Sequence, residues 1–168
     1  QPGLQFHADH GAVGQPQRQA RADRVGALGY SHGAATIMDA LVLDATPARP
    51  AGLTDASPGA LNSLKAAVLF YPYCTSDVMG FEITRAYNED WKMPVNILAF
   101  IPGSDQISDA ALCSNIMKRH KDKGLPVTFI DMPGVGHSYD QVVNDHNDPQ
   151  PEHDAQATDR SYRRALSF

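Results

Sequence analysis

The sequence predicts an α/β fold with a mainly parallel sheet, on three observations. Short apolar runs alternate with segments of helical periodicity, the connections between successive runs are long enough for crossovers, and a glycine-flanked turn joins the first run to the first helix. The size fits one ordinary domain: 168 residues, 42% hydrophobic and 20% charged, near the average for soluble globular chains. Fourteen basic against nineteen acidic side chains give a formal charge of -5, which offers no general attraction to phosphate backbones or anionic lipid. Neither a nucleic acid nor a membrane is therefore expected as a partner, and the longest apolar stretch, Ala66 to Tyr71, is far too short to span a bilayer.

Residues 1–23 carry Gln1, Gln5, Gln15, Gln17 and Gln19 and no apolar period, so they read as a poorly ordered arm ahead of a domain over 24–168. They lack the apolar stretch of a signal peptide. Val25 to Leu28 is a short strand entering Gly29-Tyr30-Ser31-His32-Gly33, after which Ala34, Ile37, Met38 and Leu41 recur at helical spacing. Pro47 to Pro58 has loop composition, and Ala66 to Phe70 is a continuous apolar strand stopped by Pro72. Thr75 to Met93 is an irregular excursion holding Phe81, Tyr87 and Trp91. Val95 to Phe100 is the next strand, Asp109 to Lys121 a helix with Leu112, Ile116 and Met117 inward, Val127 to Ile130 another strand, and Ala155 to Leu166 the last helix. Such an order calls for parallel pairing with helices on both faces.

Gly29-Tyr30-Ser31-His32-Gly33 fits G-x-S-x-G between a strand and a helix. A serine hydroxyl is a useful nucleophile when held on a tight turn at the carboxyl end of a strand, with small residues on either side so that neighbouring backbone passes closely. The N–H of His32, at the start of the helix, is then placed to stabilise an oxyanion. The alternative is a glycine-rich turn without chemistry. An acid and a histidine base should follow in that order, each after a strand. Asp105 follows Val95 to Phe100, with helix capping or solvation as its other reading, and Asp109 fits as an N-cap. His137 lies on the loop Pro133-Gly134-Val135-Gly136-His137 beyond the last strand, whereas His120 is on a lysine-rich helix and His146 and His153 are in a polar tail.

These segments, together with Ala66 to Cys74 and Pro94 to Leu98 leading into Gly103-Ser104-Asp105, resemble the dienelactone hydrolase family of α/β-hydrolases. The resemblance covers about Arg24 to Phe168. It implies ester or lactone hydrolysis through Ser31, Asp105 and His137, a small-molecule substrate and no cofactor. It also implies a partial α/β-hydrolase fold, because the family has several strands before the elbow strand, including the loop that supplies a second oxyanion N–H, whereas 30 residues precede Ser31 here. The first strand would then present an unpaired edge, so self-association or pairing with a missing N-terminal segment is expected unless the arm covers it. A noncatalytic half-domain that binds a ligand or partner is the rival reading.

Cys74 and Cys113 both fall near the carboxyl edge of a parallel sheet and read either as a disulfide, which the resemblance favours, or as two buried thiols. A bridge implies a periplasmic or secreted protein and reduced thiols a cytoplasmic one. Tyr30 beside the serine and Trp91 in the excursion are candidate substrate contacts, with ordinary packing as the alternative. No metal site is expected, since His7-Ala8-Asp9-His10, His146 and His153 sit in segments without regular structure.

Overall fold

Strands form where apolar residues run without a break. In the computed structural model, which describes residues 25–43, 62–75, 86, 88–142 and 153–168, these are β1 (Val25–Tyr30), β2 (Leu64–Phe70), β3 (Asn96–Pro102) and β4 (Val127–Met132). They pair in parallel in the order β1-β2-β3-β4. Both faces of β2 and β3 are buried, which is why neither shows polar alternation. β1, β3 and β4 each run two residues past their expected ends, whereas β2 ends at Phe70 as expected and begins two residues early.

Helices α1 (His32–Leu43) and α2 (Ala110–Asp122) follow β1 and β3. Because the strand order advances steadily and parallel crossovers are right-handed, both helices fall on the same face. There Ala34, Met38, Leu41, Ile116 and Met117 pack on Ala67, Leu69, Ile97, Ala99 and Ile101. Helix α3 (Ala155–Leu166) covers the other face, where Ala157 meets Val68, Phe70, Leu98, Phe100 and Met132. Asp109 caps α2 by accepting from the Leu112 N–H at 3.0 Å, and Asp154 caps α3 by accepting from the Ala157 N–H at 2.8 Å.

Cys74, just past β2, is disulfide-bonded to Cys113 in the first turn of α2, with Cα atoms 5.4 Å apart. Among the described residues no helix is long and apolar enough to cross a membrane. The expected arm over 1–23, the loop over 47–58, and Phe81, Tyr87, His7, His10 and His146 lie outside the described residues.

Candidate active site

Ser31 occupies the turn between β1 and α1 with φ +48, a left-handed conformation that a non-glycine residue adopts only under constraint. The constraint is visible in its backbone. Its N–H donates to the Phe70 carbonyl at 3.1 Å, and its carbonyl accepts from Ala35 and Tyr73, both at 3.1 Å. Gly29 is required by close packing: a Cβ there would lie 2.7 Å from the Ala34 nitrogen and from the Gly33 carbonyl. Gly33, by contrast, faces open space among the described residues.

Asp105 lies on the loop beyond β3. Its Oδ1 accepts the Ile107 N–H at 2.9 Å and the Ser108 N–H at 2.8 Å, so it does locally the capping work of its alternative reading and still has Oδ2 to spare. Oδ2 is 2.6 Å from His137 Nδ1, and both side chains are almost wholly buried. A carboxylate can only accept, so Nδ1 carries the proton and Nε2 is left as an acceptor. Nε2 lies 2.9 Å from Ser31 Oγ. Three side chains expected from sequence to act together, from loops after β1, β3 and β4, thus form one continuous chain of hydrogen bonds.

His32 begins α1, where first-turn N–H groups have no acceptor within the helix, and its ring stacks on Tyr73 with centroids 4.2 Å apart. Tyr30 differs from expectation. Its ring stacks on Phe70 at 4.8 Å and its hydroxyl reaches that of Tyr162 at 3.3 Å, so it belongs to the seam between sheet and α3 rather than to a substrate wall.

Trp91 requires a larger correction. It is buried against His120, with ring centroids 4.0 Å apart, and its backbone N–H donates to His120 Nε2 at 3.0 Å. The neighbouring Lys92 N–H bonds the Leu41 carbonyl, nine residues into α1 from His32 and so about 14 Å below the serine along the helix axis. Trp91 therefore packs at the far edge of the sheet. His120 is fully buried; with Nε2 accepting, Nδ1 donates to the Ile116 carbonyl at 2.8 Å, and burial pushes its pKa below the ordinary value.

Sequence reasoning missed the residues behind His137. Tyr71 is buried with φ +36, and its ring meets the imidazole edge to face, with centroids 4.9 Å apart. Its hydroxyl donates to Asp140 Oδ1 at 2.7 Å, and the Tyr162 hydroxyl donates to Oδ2 at 2.7 Å. Burial, then Asp140, push the Tyr71 phenol pKa up, so it remains a donor. The Tyr-Pro-Tyr-Cys run was the only hint that this stretch mattered. Among the described residues, no three His, Cys, Asp or Glu side chains are grouped to hold a metal ion.

A parallel sheet covered on both faces by helices places the chain in the α/β class. The chain belongs to the dienelactone hydrolase family, whose sequence pattern it matches over residues 53–168; Ser31 lies ahead of that range and Asp105 and His137 lie within it. Among solved structures it resembles a dienelactone hydrolase-like promiscuous phosphotriesterase from metagenomic libraries, with 17% identity and TM-score 0.61 over 90% of this chain and 54% of that one. It also resembles esterase 2 of Thermogutta terrifontis phosphonylated by cyclosarin, with 14% identity and TM-score 0.62 over 87% of this chain and 53% of that one. The chain thus spans about half the length of these structures. No curated protein matches it.

Proposed function

We propose that the chain carries the reacting side chains of a serine ester or lactone hydrolase that works through an acyl-enzyme. The observation that supports this reading is the line from Asp105 Oδ2 through His137 to Ser31 Oγ, at 2.6 and 2.9 Å. His137 Nε2 takes the Ser31 proton as Oγ attacks the carbonyl carbon, and the imidazolium is held by Asp105. The tetrahedral oxyanion collapses as His137 returns the proton to the leaving alcohol; water then repeats the sequence on the acyl-serine. The His32 N–H contributes one oxyanion donor. The substrate is a small ester or lactone, and the disulfide supports residence in an oxidising compartment, periplasmic or extracellular.

The rival reading is a noncatalytic domain that binds a ligand or partner through the same cleft. The two separate on a fluorophosphonate probe. Ser31 should be labelled, and Ser31→Ala should abolish both labelling and hydrolysis of a short aryl ester. Equal labelling of the alanine variant would remove Ser31 from the mechanism.

A further inference from the structure

The strongest unassigned feature is a buried hydroxyl behind the acid loop. Ser108 is one of the few buried polar residues among those described, at 5% exposure, and a desolvated hydroxyl is tolerated only where it is bonded. Apart from a 3.8 Å contact with Cys113 Sγ, its bonds go to the end of β2. Oγ accepts the Cys74 N–H at 2.7 Å and donates to the Pro72 carbonyl at 2.9 Å, with the Cys74 carbonyl farther away at 3.3 Å. The next residue adds to the seam, as the Asp109 N–H donates to the Cys74 carbonyl at 3.0 Å.

Both ends of this seam reach the reacting groups. On one side the Ser108 N–H donates to Asp105 Oδ1 at 2.8 Å. On the other, Tyr73, between the two residues that Ser108 grips, donates its N–H to the Ser31 carbonyl at 3.1 Å. The Cys74–Cys113 bridge runs alongside, but it is anchored in α2, five residues beyond Ser108, and makes no bond to Asp105. Serine suits the position because one small group must accept and donate at once. Alanine would leave the Cys74 N–H and the Pro72 carbonyl without that partner, with only the Asp109 N–H bond and the bridge then holding the loop to the strand end.

We propose that Ser108 is a positioning residue for Asp105: its hydroxyl clasps the acid loop to the end of β2, the same stretch that holds Ser31, and so sets where the carboxylate meets His137. This rests on the hydrolase reading of the site. The effect belongs on the rate of reaction at Ser31, because displacements of about an ångström cost up to about 100-fold in such sites.

The test compares the wild-type chain, Ser108→Ala and Ser108→Thr. Phosphonylation of Ser31 by a fluorophosphonate should slow about 10- to 100-fold in the alanine variant and recover in the threonine variant, which keeps the hydroxyl. In parallel, the proton NMR signal of His137 Nδ1–H should shift or broaden in Ser108→Ala at temperatures where that variant is fully folded. A folded Ser108→Ala protein with an unchanged Nδ1–H signal and wild-type labelling rate overturns the proposal. That signal reads the Asp105–His137 contact whether or not Ser31 reacts. An unlabelled wild-type chain whose Nδ1–H signal still depends on Ser108 would therefore sink the hydrolase reading and keep the clasp. Should Ser108→Ala fail to fold, hydrogen exchange on the wild-type chain decides. The Ile107 and Ser108 amides should stay protected after the disulfide is reduced, and their release on reduction would show that the bridge, not Ser108, holds the loop.

Discussion

Removing the Cys74–Cys113 bridge by replacing both residues with alanine should lower stability chiefly by freeing the unfolded chain. The cysteines are 39 residues apart, and closing a loop of that length removes roughly 13 cal/mol/K of denatured-state entropy, about 4 kcal/mol at 25 °C in the chain-entropy model. The folded side changes less. The seam at Cys74 keeps the bond from the Asp109 N–H and the bonds to Ser108, none of which involves sulfur. Alanine rather than serine avoids burying a new hydroxyl, since both cysteines are 1% exposed. For a chain of this size about 4 kcal/mol corresponds to a fall in Tm of about 8–16 °C. Thermal unfolding followed by circular dichroism checks this, with the reduced wild-type protein expected to melt near the double variant. Alkylation of the denatured, unreduced protein should modify no thiol. A double variant that melts within about a degree of the oxidised protein would refute the entropic argument, and two alkylated thiols would remove the bridge itself.

The glycines of the elbow make a paired prediction. Gly29→Ala pushes a Cβ to 2.7 Å from α1 backbone and should cost about 1–3 kcal/mol, whereas Gly33→Ala enters open space in the first turn of a helix and should be neutral or gain up to about 1 kcal/mol. Denaturant midpoints in the opposite order would show that the Gly29 crossing can relax. His120 predicts an acid sensitivity. Burial lowers its folded-state pKa below 6.5, so the unfolded chain binds the extra proton first, and stability falls as pH drops from 6.5 toward the folded pKa, by at most about 1.4 kcal/mol per pH unit. Asp90, held low mainly by its hydrogen bond from Lys123, titrates below 3.8, outside that range. Urea unfolding between pH 7 and 5 should show the slope, and His120→Gln should flatten it; a variant with the same slope as wild type would assign the effect elsewhere.

Much of this fold was legible because its determinants are local. The apolar runs of β2 and β3 and the cap Asp109 each act within a few residues, and α3 falls at Ala155–Leu166 as expected. His120 shows how composition can hide a period. Cys113, Ile116, Met117 and His120 follow the i, i+3, i+4, i+7 stripe of a buried helix face, but the surrounding lysines and arginine make the segment look solvated. Trp91 was misjudged for the opposite reason. Its excursion has no period, so proximity in sequence to a strand's carboxyl end said nothing about which edge of the sheet the ring would reach. The bonds from Tyr71 and Tyr162 to Asp140 span 69 and 22 residues, distances over which no local pattern carries information.

The arrangement also separates two requirements that are usually treated together. Ser31, Asp105 and His137 follow β1, β3 and β4, while β2, which lies between them, contributes none of the proposed reacting atoms. Yet the end of β2 touches all three: the Tyr73 N–H holds the Ser31 carbonyl, the Tyr71 ring lies against His137, and Pro72 and Cys74 hold Ser108 behind Asp105. Every one of these contacts lies on the inward side of β1. Among the described residues no strand pairs with the outer edge of β1, and Val25 and Leu28 are 43% and 54% exposed. The placement of Ser31, His137 and Asp105 is therefore tied to the end of β2 through contacts that involve nothing on the outer edge of β1. In the proposed mechanism, stabilisation of the oxyanion beyond the His32 N–H does depend on that edge, because the resemblance implies a further donor from a segment that precedes β1. A partner strand at β1 should consequently change the rate of turnover far more than it changes the distances among Ser31, His137 and Asp105.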